Sequence, residues 1–220
     1  MWKSDQDGTF AIDQSVVKSY FNKTMSLVFD ENSASLEEKA LLPYLNLTKE
    51  SSVLDMGCAN GRWARLLLPQ ISHYVGIDFS ERFINSARAK FGDLNCEFHA
   101  MPAEDFISET QFDLILCIGL MTYMNDSSIQ RLSDNCRKML KHTGRLIVRN
   151  VVLDKGDGDR KVYDRKPNLL RRLLGRPRYQ IIRRSVRKEM DFFRAFELFH
   201  HASIPETGYH FYVFKQPDRY

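Results

Sequence analysis

The sequence has no apolar run long enough to span a bilayer. A membrane helix needs about 20 predominantly apolar residues, and the longest stretch here, Phe112 to Met124, is shorter and carries Asp113. It reads instead as a buried strand with the loop that follows. The amino terminus, MWKSDQDGTFAID, places acids where a secretory leader has a basic end and an apolar centre, so no export signal is expected. Cysteine is scarce as well. Cys58, Cys96, Cys117 and Cys136 show no paired metal-ligand spacing, which offers neither a disulfide framework nor a zinc site, and a cytoplasmic protein with reduced thiols is expected. No internal repeat or low-complexity tract is present.

What is present suits one packed domain. The 220 residues are 43% hydrophobic and 27% charged, with 12% aromatic, a composition that can bury a core and does not favour disorder. The net charge of +4 conceals an uneven distribution. Between Val152 and Lys188 there are thirteen Lys and Arg against four Asp, which leaves the rest of the chain acidic.

Hydrophobic spacing gives the organisation. Two helices are expected first, over Asp13–Phe29 and over Leu36–Leu45, the second capped by Ser35. From Ser52 short apolar runs alternate with amphipathic stretches, the pattern of repeated strand-helix units on a parallel sheet. Strands are expected at Ser52–Asp55, Tyr74–Asp78, Cys96–Ala100, Phe112–Ile118 and Gly144–Val151, with helices at Arg62–Leu68, Glu81–Phe91 and Ser127–Lys141. The rhythm breaks at Lys155–Asp159, where glycines and acids mark a turn, and a short helix is expected over Pro167–Gly175. A helix at Val186–Ala195, a strand at Phe196–Ser203 and a last strand at Tyr209–Lys215 close the chain as a hairpin. The expected division is residues 1–50 as helices, 51–151 as core, 152–188 as a basic insertion and 189–220 as the final helix and hairpin.

Val53-Leu54-Asp55-Met56-Gly57-Cys58-Ala59-Asn60-Gly61-Arg62 places an acid at the end of a buried strand, then two glycines across a tight turn, then a helix. Glycines at such a turn let the backbone approach a ligand, and doubly wound sheets bind ligands beyond the carboxyl ends of their strands. The spacing Gly57-x-x-x-Gly61 differs from the G-x-G of dinucleotide folds, whose pyrophosphate sits at a helix start. A second acid, Asp78, ends the next strand about twenty residues on, where a carboxylate can accept ribose hydroxyls. Singly, each glycine could merely turn the chain and each acid merely cap a helix. Together, Asp55, Gly57, Gly61 and Asp78 specify a nucleoside cradle.

This stretch resembles the class I methyltransferase family, whose first motif has the form D-x-G-x-x-x-G. The resemblance covers Ser52 to Asn150 and, loosely, the terminal hairpin. It implies a Rossmann-like, doubly wound α/β fold with a mostly parallel seven-stranded sheet and an antiparallel C-terminal hairpin. It also implies S-adenosylmethionine as cofactor, with residues 51–151 as the cofactor-binding core. The cofactor residues it implies are Asp55, Gly57, Cys58, Gly61, Asp78, Phe79, Ala103, Glu104 and Cys117, with Tyr123 and Arg149 on the substrate side. Pro102 stands where many relatives have an acid before the Ala-Glu pair, so the adenine contact falls to the backbone of Ala103 and Glu104 or to a side chain that the sequence does not single out.

Methyl transfer requires placing a nucleophile about 3 Å from an already activated carbon, with a base only where the acceptor must lose a proton early. No side chain is singled out as that base, and no metal is expected. His200 and His201 fall on a strand whose alternation sends them to opposite faces. The basic insertion lies where this family builds its substrate lid, and its cations suit an anionic acceptor. The expected activity is methylation of oxygen or nitrogen on a small molecule, such as a phosphorylated or nucleotide-linked sugar or glycan. RNA is the alternative acceptor, although stacking aromatics arranged as in an RNA-binding module are missing. A reading of another class is a non-catalytic binding module with the same fold.

Overall fold

The computed structural model describes residues 31–153, 158–165 and 179–218. The helices expected over Asp13–Phe29 and Pro167–Gly175 lie outside these residues. The first described element, α1 (Glu31–Leu41), starts earlier than expected, so Ser35 sits inside it rather than capping it. It also ends earlier, because Pro43 has no N–H to continue the ladder and the chain tightens into a 3-10 turn at Leu42–Tyr44.

Strands β1 (Ser52–Met56), β2 (His73–Asp78) and β3 (Cys96–Ala100) alternate with α2 (Arg62–Leu67) and α3 (Glu81–Phe91). After β4 (Phe112–Ile118) come α4 (Asp126–Met139) and β5 (Leu140–Val151), a strand that begins four residues before the expected Gly144. Next are β6 (Arg160–Arg165), β7 (Tyr179–Arg184), α5 (Val186–Phe192), β8 (Glu197–Ile204) and β9 (Tyr209–Lys215). The main sheet has seven strands in the order β3-β2-β1-β4-β5-β9-β8. Pairing is parallel from β3 to β5 and antiparallel on either side of β9. This is the doubly wound sheet with a terminal hairpin that the sequence implied.

Successive strands run outward from β1 through β2 to β3, and the chain then returns to place β4 on the other side of β1. That reversal opens a crevice beyond the carboxyl ends of β1 and β4, the position where such sheets take ligands. Helices cover both faces. On one, Leu41, Trp63, Leu67, Ile84 and Ala87 pack over Val53, Leu114 and Ile147. On the other, Ile129, Leu132, Cys136 and Phe192 pack over Leu54, Ile115 and Val148. Every residue of β1 is buried, as its central place between two parallel neighbours requires.

The two-stranded hairpin of β6 and β7, paired from Arg160↔Arg184 to Arg165↔Tyr179, is the element sequence spacing did not reveal. Its strands mix five cations with Val162, Ile181 and Ile182, so no clean period of two marks them.

Two acids lie deep in this core. Burial pushes the Asp55 carboxyl up to about 7, although the Tyr74 hydroxyl donates to its Oδ2 at 2.5 Å and Arg62 pulls the other way. Burial likewise pushes Glu189 up to about 8 against the opposing pull of Arg184, Tyr212 and Asn150. A carboxyl whose value rises on folding binds more protons in the folded than in the unfolded chain between the two values, so stability falls as pH rises through that window. For Asp55 the window runs from 3.8 to about 7. Urea unfolding at the two ends of this window should therefore show the wild type losing roughly 2 to 4 kcal/mol more than Asp55→Asn. Parallel losses in the two proteins would contradict the burial of a neutral acid here.

Candidate functional site

The crevice is built by the turn between β1 and α2. Gly57, Ala59 and Gly61 all take positive φ, at 87°, 48° and 84°. Glycine is required at position 61 for a second reason: a Cβ there would meet the Phe91 ring at 2.7 Å. Backbone bonds stitch the turn to the end of β2. The Gly57 and Cys58 amides donate to Ile77 O at 2.7 and 3.0 Å, and the Gly61 amide closes the turn on Cys58 O at 3.0 Å.

Asp78 completes the stitching with its side chain. The Ala59 amide donates to Oδ2 at 3.1 Å and the Ser80 amide to Oδ1 at 2.9 Å. Burial pushes this carboxyl up to about 6, and the two amides hold it down. An ionised carboxylate has about four acceptor positions. Two are used here, so each oxygen keeps capacity for a further donor such as a ribose hydroxyl.

Asp78 opens onto a cleft lined by Gly57, Leu120, Tyr123 and Met124. Phe79, Pro102, Ala103 and Glu104 complete the lining. Ala103 and Glu104 begin a short 3-10 turn after Pro102, and the first amides of such a turn have no partner within it. The turn is tied down from behind, where Asn135 Nδ2 donates to Glu104 O at 2.9 Å. The lining is mostly apolar with a few polar groups, Asp78 and Glu104 among them, the usual chemistry of a small-molecule site.

Of the residues implied by sequence, Gly57, Asp78, Phe79, Ala103, Glu104 and Tyr123 come together on this cleft. Cys58 and Gly61 shape the turn from beneath. Three others lie elsewhere. Cys117 is fully buried in the core beside Cys136. Asp55 is buried within the sheet, where the Tyr74 hydroxyl donates to it. Arg149 is buried across the Tyr209 ring at 4.2 Å and against Gly119, in an ion pair with Glu37. His200 and His201 are also remote: one bonds and stacks on Tyr44, the other bonds His210 and stacks on Tyr212.

Two anchors escaped the sequence. Glu37 of α1, almost wholly buried, receives both Arg62 and Arg149, which clamps the helix to the turn and to β5. Its only signal was an acid among Leu36, Ala40 and Leu41 on an otherwise apolar face. Arg184 of β7 is 0% exposed. Its guanidinium donates to Met121 O at 3.0 Å, to Met124 O at 2.7 Å and to Asp126 Oδ1 at 2.7 Å. The β6–β7 hairpin is thereby tied to the segment that carries Tyr123, and Val162 and Ile182 of the hairpin pack toward Phe79, Phe83 and Tyr123 at the cleft rim.

Known proteins place this architecture. Residues 53–144 match the family model described as a methyltransferase domain. Phosphoethanolamine N-methyltransferase 1 of Triticum aestivum is 25% identical over 69% of this chain and 33% of its own length. The ubiquinone biosynthesis O-methyltransferase of Coxiella burnetii is 30% identical over 47% of this chain and 44% of its own. The chain thus spans less than half the length of these curated relatives. Among solved structures, DhpI in complex with S-adenosylhomocysteine (SAH) superposes with a TM-score of 0.73 at 16% identity, covering 93% of this chain and 97% of that one. The N-methyltransferase NodS of Bradyrhizobium japonicum, also with S-adenosylhomocysteine, gives 0.66 at 17% identity over 93% and 98%. The matched residues carry the turn that forms the cleft, so over this part the chain is similar to a methyltransferase domain, and its fold is shared with solved methyltransferase structures.

Proposed function

We propose that this chain transfers a methyl group from S-adenosylmethionine to an oxygen or nitrogen of a small, anionic acceptor, as a single domain with residues 152–188 as its lid. The observation that carries this reading is Asp78, a carboxylate with spare acceptor capacity held by two backbone amides at the mouth of an apolar cleft. When bound, the cofactor supplies a sulfonium-activated methyl group, so the protein's task is placement.

Each wall then has a task. Asp78 holds the ribose hydroxyls, Phe79 lies against the adenine face, and the Ala103 and Glu104 backbone meets the adenine edge. Gly57, Cys58 and Gly61 give the amino-acid end close backbone approach, with Asp55 buried beneath the turn. Tyr123 walls the acceptor side, together with the hairpin that Arg184 fastens. Arg149 acts through Glu37 by fixing the helix that covers this end of the sheet.

The named relatives are a phosphoethanolamine N-methyltransferase and a ubiquinone biosynthesis O-methyltransferase, which supports a small molecule over RNA. The cation-rich insertion supports an anionic one. A cytoplasmic setting belongs to the same reading: four free cysteines are consistent with it, and no helix among the described residues is long and apolar enough to cross a membrane.

Calorimetry tests the cofactor assignment. The wild-type chain should bind both S-adenosylmethionine and S-adenosylhomocysteine, and Asp78→Ala should weaken both by roughly tenfold or more, since it removes two ionic hydrogen bonds. Absence of binding by the wild type would favour a non-catalytic module.

A further inference from the structure

A second concavity lies at the other end of the sheet from the cleft. Ile71 precedes β2, and Leu94 and Asn95 precede β3, so this pocket of about 260 Å³ opens at the amino ends of those strands. Arg65 of α2, Leu68 of the turn that follows it and Phe91 at the end of α3 share the lining. A cavity of about 150 Å³ already holds a benzene ring, so this one has room for a larger ring or a chain of medium length. Leu94 stands at its rim, 53% exposed although large and apolar, and a bound molecule would cover it.

The polar groups decide what such a molecule carries. The Asn95 amide is engaged at both ends, by Ser72 O and by the His73 ring. Arg65 keeps its donors. Its side chain is 65% exposed, and its ion-pair partner Glu38 stands 3.8 Å away, beyond hydrogen-bond reach. No hydrogen bond among the described residues engages the guanidinium fork, whose planar pair of N–H groups matches a carboxylate. An apolar wall with one such fork at its edge selects an amphipathic monoanion.

Phe91 joins the pocket to the cofactor turn. A Cβ at Gly61 would meet its ring at 2.7 Å, so no slack separates the ring from the turn that carries Cys58 and Ala59. A ligand packed on Phe91 therefore opposes movement of the ring away from that turn.

We propose that this pocket is a second ligand site, taking an apolar molecule that ends in a carboxylate, and that Phe91 passes its occupancy to the cofactor turn. The site goes beyond the methyltransferase reading, and its ligand chemistry does not depend on it.

Titration calorimetry of the full chain with octanoate as the probe tests it. Octanoate should bind once per chain, and acetate, which lacks the tail, should bind at least roughly tenfold more weakly. Arg65→Gln should weaken octanoate by roughly tenfold and Leu94→Ser by roughly threefold. Both positions are exposed, and retained heats with S-adenosylhomocysteine check that the variants fold. Saturating octanoate should tighten S-adenosylhomocysteine binding to the wild type by roughly threefold, with the reciprocal effect on octanoate. Octanoate binding that is absent, no stronger than that of acetate, or unchanged in both variants overturns the site. An S-adenosylhomocysteine affinity indifferent to octanoate overturns the role of Phe91. Octanoate binding with no heat from S-adenosylhomocysteine supports the site and counts against the methyltransferase reading, so the two fail separately.

Discussion

The cleft depends on the bond between the Asp78 carboxylate and the Ala59 amide. Ala59 takes a left-handed conformation that a residue with a Cβ adopts at a cost, and its amide points at Asp78 because of that conformation. The end of β2 therefore fixes the turn after β1, and the turn fixes where Gly57 meets Leu120 across the cleft. One side chain thus couples two strands and a loop, and does so with lone pairs left over. A carboxylate already raised by burial gains from any further donor, which is why the architecture favours a ligand bearing hydroxyls at this point.

Two buried ion clusters hold the structure around that bond from opposite sides. Glu37 clamps α1 over the turn through Arg62 and Arg149. Arg184 clamps the hairpin over Tyr123 through Met121, Met124 and Asp126. Buried pairs of this kind add little net stability when intact, but removing one partner leaves a charge uncompensated at about 3 to 5 kcal/mol. Their effect is specificity of position. Each joins segments far apart in sequence, so the cover of the cleft is set by tertiary contacts rather than by local propensity.

What the sequence disclosed follows from the same distinction. The turn glycines and Asp78 were legible because strand, turn and helix lie within a short stretch whose apolar period is unbroken. The main strands were legible because two-sided burial leaves them nearly continuous in apolar residues. By contrast, β6 and β7 carry cations on both faces, Arg160 and Arg184 on one and Lys161 and Arg183 on the other, and adjacent Ile181 and Ile182 are both buried, so no period of two stands out. Glu37 and Arg184 gain their partners only when distant segments meet. The different surroundings of Asp55 and Asp78 show the limit of a motif: register places both acids on one face of the sheet, yet the first is buried against Tyr74 and only the second, at the end of its strand, lines the cleft.

The most direct measurement is a crystal structure of the chain with S-adenosylhomocysteine. The account predicts the ribose hydroxyls on Asp78, the adenine between Phe79 and the Ala103–Glu104 backbone, and the sulfur facing the side walled by Leu120 and Tyr123. A ligand bound elsewhere, with Asp78 still engaged only by Ala59 and Ser80, would contradict it.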